Sequence, residues 1–148
     1  MSGDSTTPDR VVGGLALPYG VEVFLHGRKL VFEPLSLFWP DGARIRMLRD
    51  HDQSQRLGRD YDLVHTPAGL EPALLVDPGP AGDRALARIA DGTERGLSVG
   101  VTFVNVVRLR GTYVVRSALL REISLTTRPV VATARVTLWP GHTLRSTQ

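Results

Sequence analysis

The sequence predicts a compact α+β domain that is mainly β, in which antiparallel strands close or nearly close a small barrel with one or two helices. Three observations predict this fold class. Short runs of β-branched and aromatic residues recur between turn signals, the segment from Leu97 to Val107 alternates along its whole length, and one segment has helical spacing. We expect about six or seven strands.

The first predicted strands are short and lie close together. Val21–Leu25 and Leu30–Phe32 are rich in β-forming residues, and the turn signal His26-Gly27-Arg28 separates them. Pro34 and the stretch Trp39-Pro40-Asp41-Gly42 then favour a loop.

Two further strands are predicted in the middle of the chain. Arg44–Leu48 alternates charged with apolar residues and leads into Asp50-His51-Asp52, which we expect to form a loop. Gly69–Val76 is the second strand, and it ends at Asp77-Pro78-Gly79-Pro80.

One helix is predicted from Asp83 to Ala90. Leu86 and Ile89 recur at helical spacing, and alanine fills much of the remainder. Asp83 is the expected N-cap, and Gly92 is expected to end the helix.

The last third of the chain predicts three strands. In Leu97–Val107, alternate residues are expected to face the core, namely Leu97, Val99, Val101 and Phe103, whereas Ser98, Gly100 and Thr102 point the other way. Thr112–Leu125 follows with a break expected near Ser117, and Val130–Leu138 is the last predicted strand.

Length and composition predict one domain of ordinary globular type. The 148 residues are 42% hydrophobic and 22% charged. We expect a flexible polar leader over residues 1–10, a folded domain over 11–140 and a flexible tail over 141–148. The chain has no cysteine, which excludes disulfides, thiolate metal sites and a cysteine nucleophile. The four histidines have no metal-site spacing, so neither a metal nor another cofactor is predicted.

The charge pattern argues against nucleic acid as the main partner. The net charge is +3, and Lys29 is the single lysine beside 17 scattered arginines. A basic module that binds packaged nucleic acid remains an alternative, which a steep dependence of affinity on salt would favour. Residues 1–10 lack an apolar signal region and no run of 18 apolar residues occurs, so we expect no membrane association and a cytoplasmic protein.

Ser98 is the candidate nucleophile, because Gly96 and Gly100 flank it at a distance of two residues. Glycines at these positions let other backbone approach closely, as an acyl-transfer site requires. The pattern is similar to the GxSxG turn of α/β-hydrolases, but that fold is rejected because an alternating strand follows Ser98. The alternative interpretation is that small residues simply begin a strand here.

His51 and Glu122 are the candidate partners of Ser98. His51 lies between Asp50 and Asp52 after an apolar strand, where it is either a general base or a solvated turn residue. If Ile123 faces the core, Glu122 faces outward and shares the outward face expected for Ser98.

Several segments occur in a fixed order between Gly14 and Val136. They are Gly14-Leu15-Ala16-Leu17-Pro18, Val31-Phe32-Glu33-Pro34-Leu35-Ser36-Leu37, Leu48-Arg49-Asp50-His51-Asp52 with Arg56-Leu57-Gly58-Arg59, the helix at 85–91, Gly96-Leu97-Ser98-Val99-Gly100-Val101, and Leu120-Arg121-Glu122-Ile123-Ser124-Leu125-Thr126 with Arg128-Pro129-Val130. Together they resemble the prohead (capsid maturation) proteases of tailed bacteriophages, which are related in fold to the β-barrel of herpesvirus assemblin.

The resemblance implies a serine endopeptidase with Ser98 as nucleophile, His51 as general base and Glu122 as third member. Backbone amides near the nucleophile, such as that of Val99, or near Arg128 and Val130, would hold the oxyanion. The implied substrates are a scaffold protein, or an extension of the major capsid protein, and the protease itself. The implied location is the host cytoplasm, inside the immature capsid, and a homo-oligomer is compatible with this role. Valine at 101, where the family more often has an aromatic residue, bears on the fit of the substrate.

Two alternatives accompany this interpretation. The chain could be an inactive homologue that serves as a structural component of capsid assembly, although the presence of all three candidate residues argues against decay. The third member could also be a histidine, as in assemblin-type proteases, or an aspartate beside His51. The residues that compete with Glu122 for this role are His26, His65, His142, Asp50 and Asp52.

Overall fold

The structure is a computed structural model that describes residues 9–25, 27–128 and 137–138. These residues form eleven strands and one helix: β1 Val11–Gly13, β2 Leu17–Pro18, β3 Glu22–Leu25, β4 Arg28–Phe32, β5 Leu37–Phe38, β6 Arg46–Arg49, β7 Asp52–His65, β8 Gly69–Val76, α1 Pro80–Ala90, β9 Gly96–Leu109, β10 Thr112–Thr126 and β11 Thr137–Leu138. The prediction of a mainly β, compact α+β domain is confirmed. The strands outnumber the expected six or seven because several have only two or three residues.

The strands form one mixed sheet in the order β11-β1-β8-β7-β6-β10-β4-β3, which does not close on itself among the described residues. Seven of the ten strand pairings in the described part of the chain are antiparallel. The other three are parallel pairings of β10 with β4, β5 and β6. The described pairings are thus mainly antiparallel, as expected, and the parallel ones occur where three short strands line up along β10.

The strand β7 corrects the prediction of a loop after His51. It runs for 14 residues, and its first five side chains are exposed. The polar sequence Asp52–Arg56 carries no apolar alternation, so nothing local indicated a strand. The strand forms because its backbone pairs with β6 and β8. His65 is the last residue of this strand.

The helix α1 begins three residues before the expected start. Pro80 lies at its first turn, and Gly79 precedes it with a φ of 118°. Asp83 therefore does not cap the helix. It lies in the first turn and forms an ion pair with Arg10 at 2.9 Å. Gly92, with a φ of 83°, follows the helix end as expected.

Arg10, the residue before β1, connects this strand to the end of β8 and to the first turn of α1. Its guanidinium group donates to the carbonyl of Val76 at 3.1 Å and to that of Asp77 at 2.6 Å. Arg10, expected to end the flexible leader, is thus bonded to the domain. Most of that leader and the whole expected tail lie outside the described residues.

β10 is one continuous strand rather than two. The break expected near Ser117 is a pair of irregularities in its pairing with β9, and another lies between Leu120 and Glu122. The alternation predicted for β9 holds only in its first half: Leu97 is fully buried, but Phe103 is 42% exposed. The predicted strand at 130–138 lies largely outside the described residues.

The main hydrophobic core contains side chains from nearly every long element, and a second, smaller cluster holds Val11 and Ala73. The largest fully buried members of the main core are Phe32, Leu37, Met47, Leu70, Leu74, Leu97, Ile123 and Leu125. The buried residues of α1, Ala85 and Ile89, belong to the main core as well. The one helix in the described part of the chain, α1, is not long and apolar enough to cross a membrane.

Candidate active site

His51 lies in a two-residue turn between β6 and β7. Arg49 and Asp52 pair across the hairpin, and the two residues between them, Asp50 and His51, have φ angles of 49° and 61°. Positive φ at both central positions defines a type I′ turn, which normally favours Asn-Gly. Asp and His are among the side chains that tolerate this conformation best. The candidate base is therefore held in a less common backbone conformation, which the surrounding contacts must stabilise.

Two hydrogen bonds fix this turn on β10. The amide of Asp50 donates to the carbonyl of Leu125 at 3.1 Å. The amide of His51 donates to the hydroxyl of Ser124 at 2.8 Å. They continue the parallel pairing of β6 with β10, in which Arg49 lies opposite Leu125. As a result, the His51 ring lies against the part of β10 that pairs with the strand of the candidate nucleophile.

The pairing of β9 with β10 places the other candidate residues together. Ser98 lies opposite Ser124, and Gly100 lies opposite Glu122. These four residues share one face of the two strands, as the alternation predicts. The expectation that this face is solvated is wrong. Ser98 is 6% exposed and Glu122 is 5% exposed, because this face is covered, in part by the turn that carries His51.

The structure brings Ser98, His51 and Glu122 into one hydrogen-bonded chain. Nε2 of His51 lies 3.1 Å from the hydroxyl oxygen of Ser98, and Nδ1 contacts Oε2 of Glu122. A carboxylate only accepts hydrogen bonds, so Nδ1 carries the proton and Nε2 is left to accept the Ser98 proton. One ring nitrogen of His51 thus faces Glu122 and the other faces Ser98.

Ser124 is a fourth member of this network that the sequence did not single out. Its side chain is fully buried, accepts the amide hydrogen of His51, and donates to Oε1 of Glu122 at 2.8 Å. One hydroxyl thus holds both the backbone of the base and the second oxygen of the carboxylate. The signal available in the sequence was the spacing of Glu122 and Ser124, which puts both on the same strand face.

The environment raises the pKa of His51 above its usual value of 6.5. The hydrogen bond that Nδ1 of His51 donates to Glu122 is the largest cause, partial burial opposes it, and the negative charges of Glu122 and Asp50 add to the increase. Asp52, the other flanking carboxylate, instead accepts hydrogen bonds from Ser54. The orientation of the imidazole therefore comes from Glu122, not from its sequence neighbours.

Gly100 provides the space that Glu122 occupies. A Cβ atom at this position would lie 2.1 Å from Oε2 of Glu122. The sequence predicted close approach of backbone at this glycine. The structure shows instead that the neighbour is the carboxylate of Glu122.

Among the competing candidates for the third position, His65 has partners other than His51. Nδ1 of His65 is hydrogen bonded to the hydroxyl of Tyr19 at 2.8 Å, and its ring stacks on Trp39 at 5.0 Å between centroids. Burial lowers the pKa of His65 and raises that of Tyr19 to about 12. His65 is part of this aromatic cluster. His26 and His142 lie outside the described residues.

Two of the three residues predicted to supply oxyanion donors, Val99 and Arg128, lie among the described residues. Val99 follows Ser98 in β9 and is buried. The amide of Arg128 donates to the hydroxyl of Thr126 at 3.0 Å, so its hydrogen is already bonded. Val130 lies outside the described residues.

A buried ion pair connects the hairpin of His51 to the segment before β9. The guanidinium of Arg49 contacts Oε1 of Glu94, whose side chain is fully buried. Arg49 precedes the turn by one residue, and Glu94 precedes β9 by two. The pair thus joins the elements that carry His51 and Ser98. No local pattern in the sequence indicated this contact.

Comparison with known proteins yields no family assignment. No protein-family model matches the chain, and no curated protein sequence matches it.

Proposed function

We propose that the protein is a serine endopeptidase in which Ser98, His51 and Glu122 form the catalytic triad. The observation that carries the proposal is the continuous chain of contacts from the Ser98 hydroxyl through both ring nitrogens of His51 to Glu122. Three residues from separate elements meet in the order that nucleophilic acyl transfer requires. His51 remains accessible, with 42% of its side chain exposed, while Glu122 is buried.

In the proposed mechanism, Nε2 of His51 accepts the Ser98 proton as the serine oxygen attacks the carbonyl carbon of the scissile peptide bond. The protonated imidazole then donates this proton to the leaving amine, and an acyl-enzyme remains. Water, activated by the same nitrogen, hydrolyses the acyl-enzyme. Glu122 keeps Nδ1 protonated and stabilises the imidazolium. Backbone amides, that of Val99 or those near Arg128 and Val130, would stabilise the oxyanion.

Ser124 acts in this scheme as a positioning residue. It does not reach the reacting atoms, but its hydroxyl holds the His51 amide and the Glu122 carboxylate at once. A type I′ turn without glycine needs such support, because the turn alone does not favour one placement of the ring.

We further propose that the protease acts in prohead maturation, on a scaffold protein or an extension of the major capsid protein and on itself. This part rests on the resemblance to the prohead proteases of tailed bacteriophages. It includes an assemblin-type barrel for the complete chain and a location in the immature capsid in the host cytoplasm. The spacing of the Ser98 and Glu122 segments and the position of His51 before β7 support it.

Two measurements on the purified protein test the proposal. A fluorophosphonate probe should react with the Ser98 hydroxyl, losing fluoride and leaving a phosphonylated serine, because only an activated serine reacts quickly. Intact-mass analysis detects the added group. Co-expression with the capsid or scaffold protein, followed by intact-mass analysis, should show trimmed products. Ser98→Ala and His51→Ala should each abolish cleavage, by on the order of a million-fold, and remain folded.

The control is Ser54→Ala, which alters an exposed serine outside the site and should label like the natural protein. Absence of labelling in the natural protein would instead identify an inactive, structural homologue. If Ser98 is labelled but neither the capsid protein nor the scaffold protein is cleaved, the protein is a serine hydrolase and the proposed role in prohead maturation is rejected.

A further inference from the structure

A groove of about 590 Å³ lies at the end of the sheet away from Ser98. Its walls are formed by Leu25 of β3, Leu30 of β4, and Phe103 and Val106 of β9. Leu30 belongs to the buried core, whereas Phe103 is 42% exposed. The apolar core surface therefore continues into solvent here. We call this feature the Tyr113 groove, after the ring of β10 that lies at its polar end.

Large exposed apolar side chains concentrate on the two strands that border the groove. Phe24 on β3 and Val104 and Leu109 on β9 are each more than half exposed. None of these three side chains lines the groove, and Phe24 and Leu109 lie on the strand face opposite to Leu25 and Arg108, which do. The groove itself exposes Phe103 and Val106, which are 42% and 37% exposed, and exposed apolar side chains in a groove are typical of a surface that contacts another molecule.

Two arginines supply the polar end of the Tyr113 groove. The guanidinium carbon of Arg28 lies 5.4 Å from the centroid of the Tyr113 ring, and that of Arg108 lies 5.6 Å from it. Neither arginine forms an ion pair with a carboxylate in the part of the chain that the structure describes. Glu22, on the neighbouring strand, accepts a hydrogen bond from Thr112 instead. The groove thus carries two positive charges that no described carboxylate neutralises.

We propose that the Tyr113 groove binds an acidic segment of another protein, whose carboxylates pair with Arg28 and Arg108 and whose apolar side chains occupy the walls. Charge complementarity selects this partner. A second copy of the chain bound about a two-fold axis would bring the same two arginines toward each other, which like-charge repulsion disfavours. Nucleic acid would gain from the arginines but not from the aliphatic walls.

The groove serves recruitment rather than bond cleavage. Val106 lies eight residues beyond Ser98 on β9, which corresponds to about 26 Å at the usual rise of a strand. Phe103, the lining residue of β9 that is nearest to Ser98 along the strand, lies five residues or about 16 Å from it, so the groove residues themselves are separate from the proposed triad. The inference goes beyond the protease proposal and stands without it.

The test measures binding of short fluorescein-labelled peptides by fluorescence anisotropy, with the natural protein and with Ser98→Ala so that cleavage does not interfere. The acidic probe has glutamates interspersed with leucine and phenylalanine. It should bind, and more weakly as salt is raised. In the double variant Arg28→Gln/Arg108→Gln, affinity should fall about tenfold or more. Phe103→Ser should also weaken binding, since it removes an exposed wall of the groove.

Matched controls separate this site from general attraction to a basic protein. Arg84→Gln removes an exposed arginine on α1 and should leave binding unchanged. A probe with lysine in place of glutamate, and one with serine in place of the apolar residues, should both bind poorly. The inference is overturned if the acidic probe does not bind at millimolar concentration, or if the double variant binds it as well as the natural protein. It is also overturned if a single-stranded oligonucleotide binds more tightly through the same arginines, or if Phe103→Ser dissociates a dimer of this chain in sedimentation.

Discussion

The Glu122 side chain sets both the tautomer and the pKa of His51, since its carboxylate accepts the Nδ1 hydrogen and is the largest cause of the raised pKa. A general base must be neutral to accept the serine proton. Activity should therefore fall as the pH drops through the raised pKa of His51.

In Glu122→Gln, the bond to the charged acceptor and its negative charge are both lost. The acid limb of the pH dependence of Ser98 labelling should move to lower pH, and the maximum rate should fall by up to about 10⁴-fold. Asp52→Asn is the matched control, because Asp52 is exposed and bonded to Ser54 rather than to the ring. An unmoved acid limb in Glu122→Gln would remove Glu122 from the triad.

The same linkage affects stability. A histidine whose pKa is raised by folding stabilises the native state fully below its unfolded pKa, about 6.5, and this contribution is lost as the pH rises through the folded pKa. Urea unfolding should therefore show a larger stability difference between the natural protein and Glu122→Gln near pH 6 than near pH 9.

The Ser124 hydroxyl has two hydrogen-bond partners, the amide of His51 and Oε1 of Glu122. Ser124→Ala leaves the His51 amide without its acceptor and Oε1 of Glu122 without its donor. Stability should fall by about 1–3 kcal/mol. On a peptide substrate, kcat should decrease with KM unchanged, and the acid limb should shift toward that of an ordinary histidine.

Ser124→Thr keeps the hydroxyl and should restore the pH profile. The measurement is made at a temperature where Ser124→Ala is folded. If the variant is less stable but its kcat and pH profile equal those of the natural protein, Ser124 has no positioning role.

At the scale of the element, the β9–β10 pairing determines whether Glu122 reaches His51. Gly100 lies opposite Glu122, and a Cβ there would overlap the carboxylate. Gly100→Ala should displace that carboxylate and reduce activity about a hundredfold or more. Stability should fall by about 1–3 kcal/mol, because the displaced carboxylate loses its buried hydrogen bonds to His51 and Ser124.

Gly58→Ala is the contrasting variant. A Cβ at Gly58 would lie 2.1 Å from the carbonyl oxygen of Leu75, which belongs to the backbone of β8 and cannot swing away. This variant should lose about 2 kcal/mol or more of stability. Circular dichroism with urea unfolding measures both variants. If Gly100→Ala were as active per folded molecule as the natural protein, the packing explanation would be wrong.

The secondary-structure elements differ in how well they can be predicted from the local sequence. Gly69–Val76 was predicted with its correct bounds, because it is a buried strand bordered by glycine and proline. β7 was missed because its exposed first half is polar and is held only by pairing with neighbours. Asp83 was misassigned as a cap because the helix begins three residues earlier, at Pro80, so Asp83 lies in its first turn and pairs with Arg10 instead.

At the scale of the molecule, the pair between Arg49 and Glu94 joins the hairpin of the base to the segment that leads into β9. Removing one partner of a buried pair leaves the other charge uncompensated, so Glu94→Ala should destabilise the fold by on the order of 3 kcal/mol. Glu33→Ala, which breaks an exposed pair with Arg116, should lose less than about 1 kcal/mol. Equal losses in urea unfolding would contradict a supporting role for Glu94.

The sequence by itself determined the α+β class, the long alternating strand that carries Ser98, and the shared face of Ser98 and Glu122. These follow from local periodicity, since the two-residue repeat of a strand assigns each side chain to a face. The tertiary structure alone decided that this face is buried, that β6 runs parallel to β10, and that Ser124 and Gly100 shape the site. Strand order and register join residues more than 70 positions apart, such as His51 and Ser124, and depend on packing that no local pattern encodes.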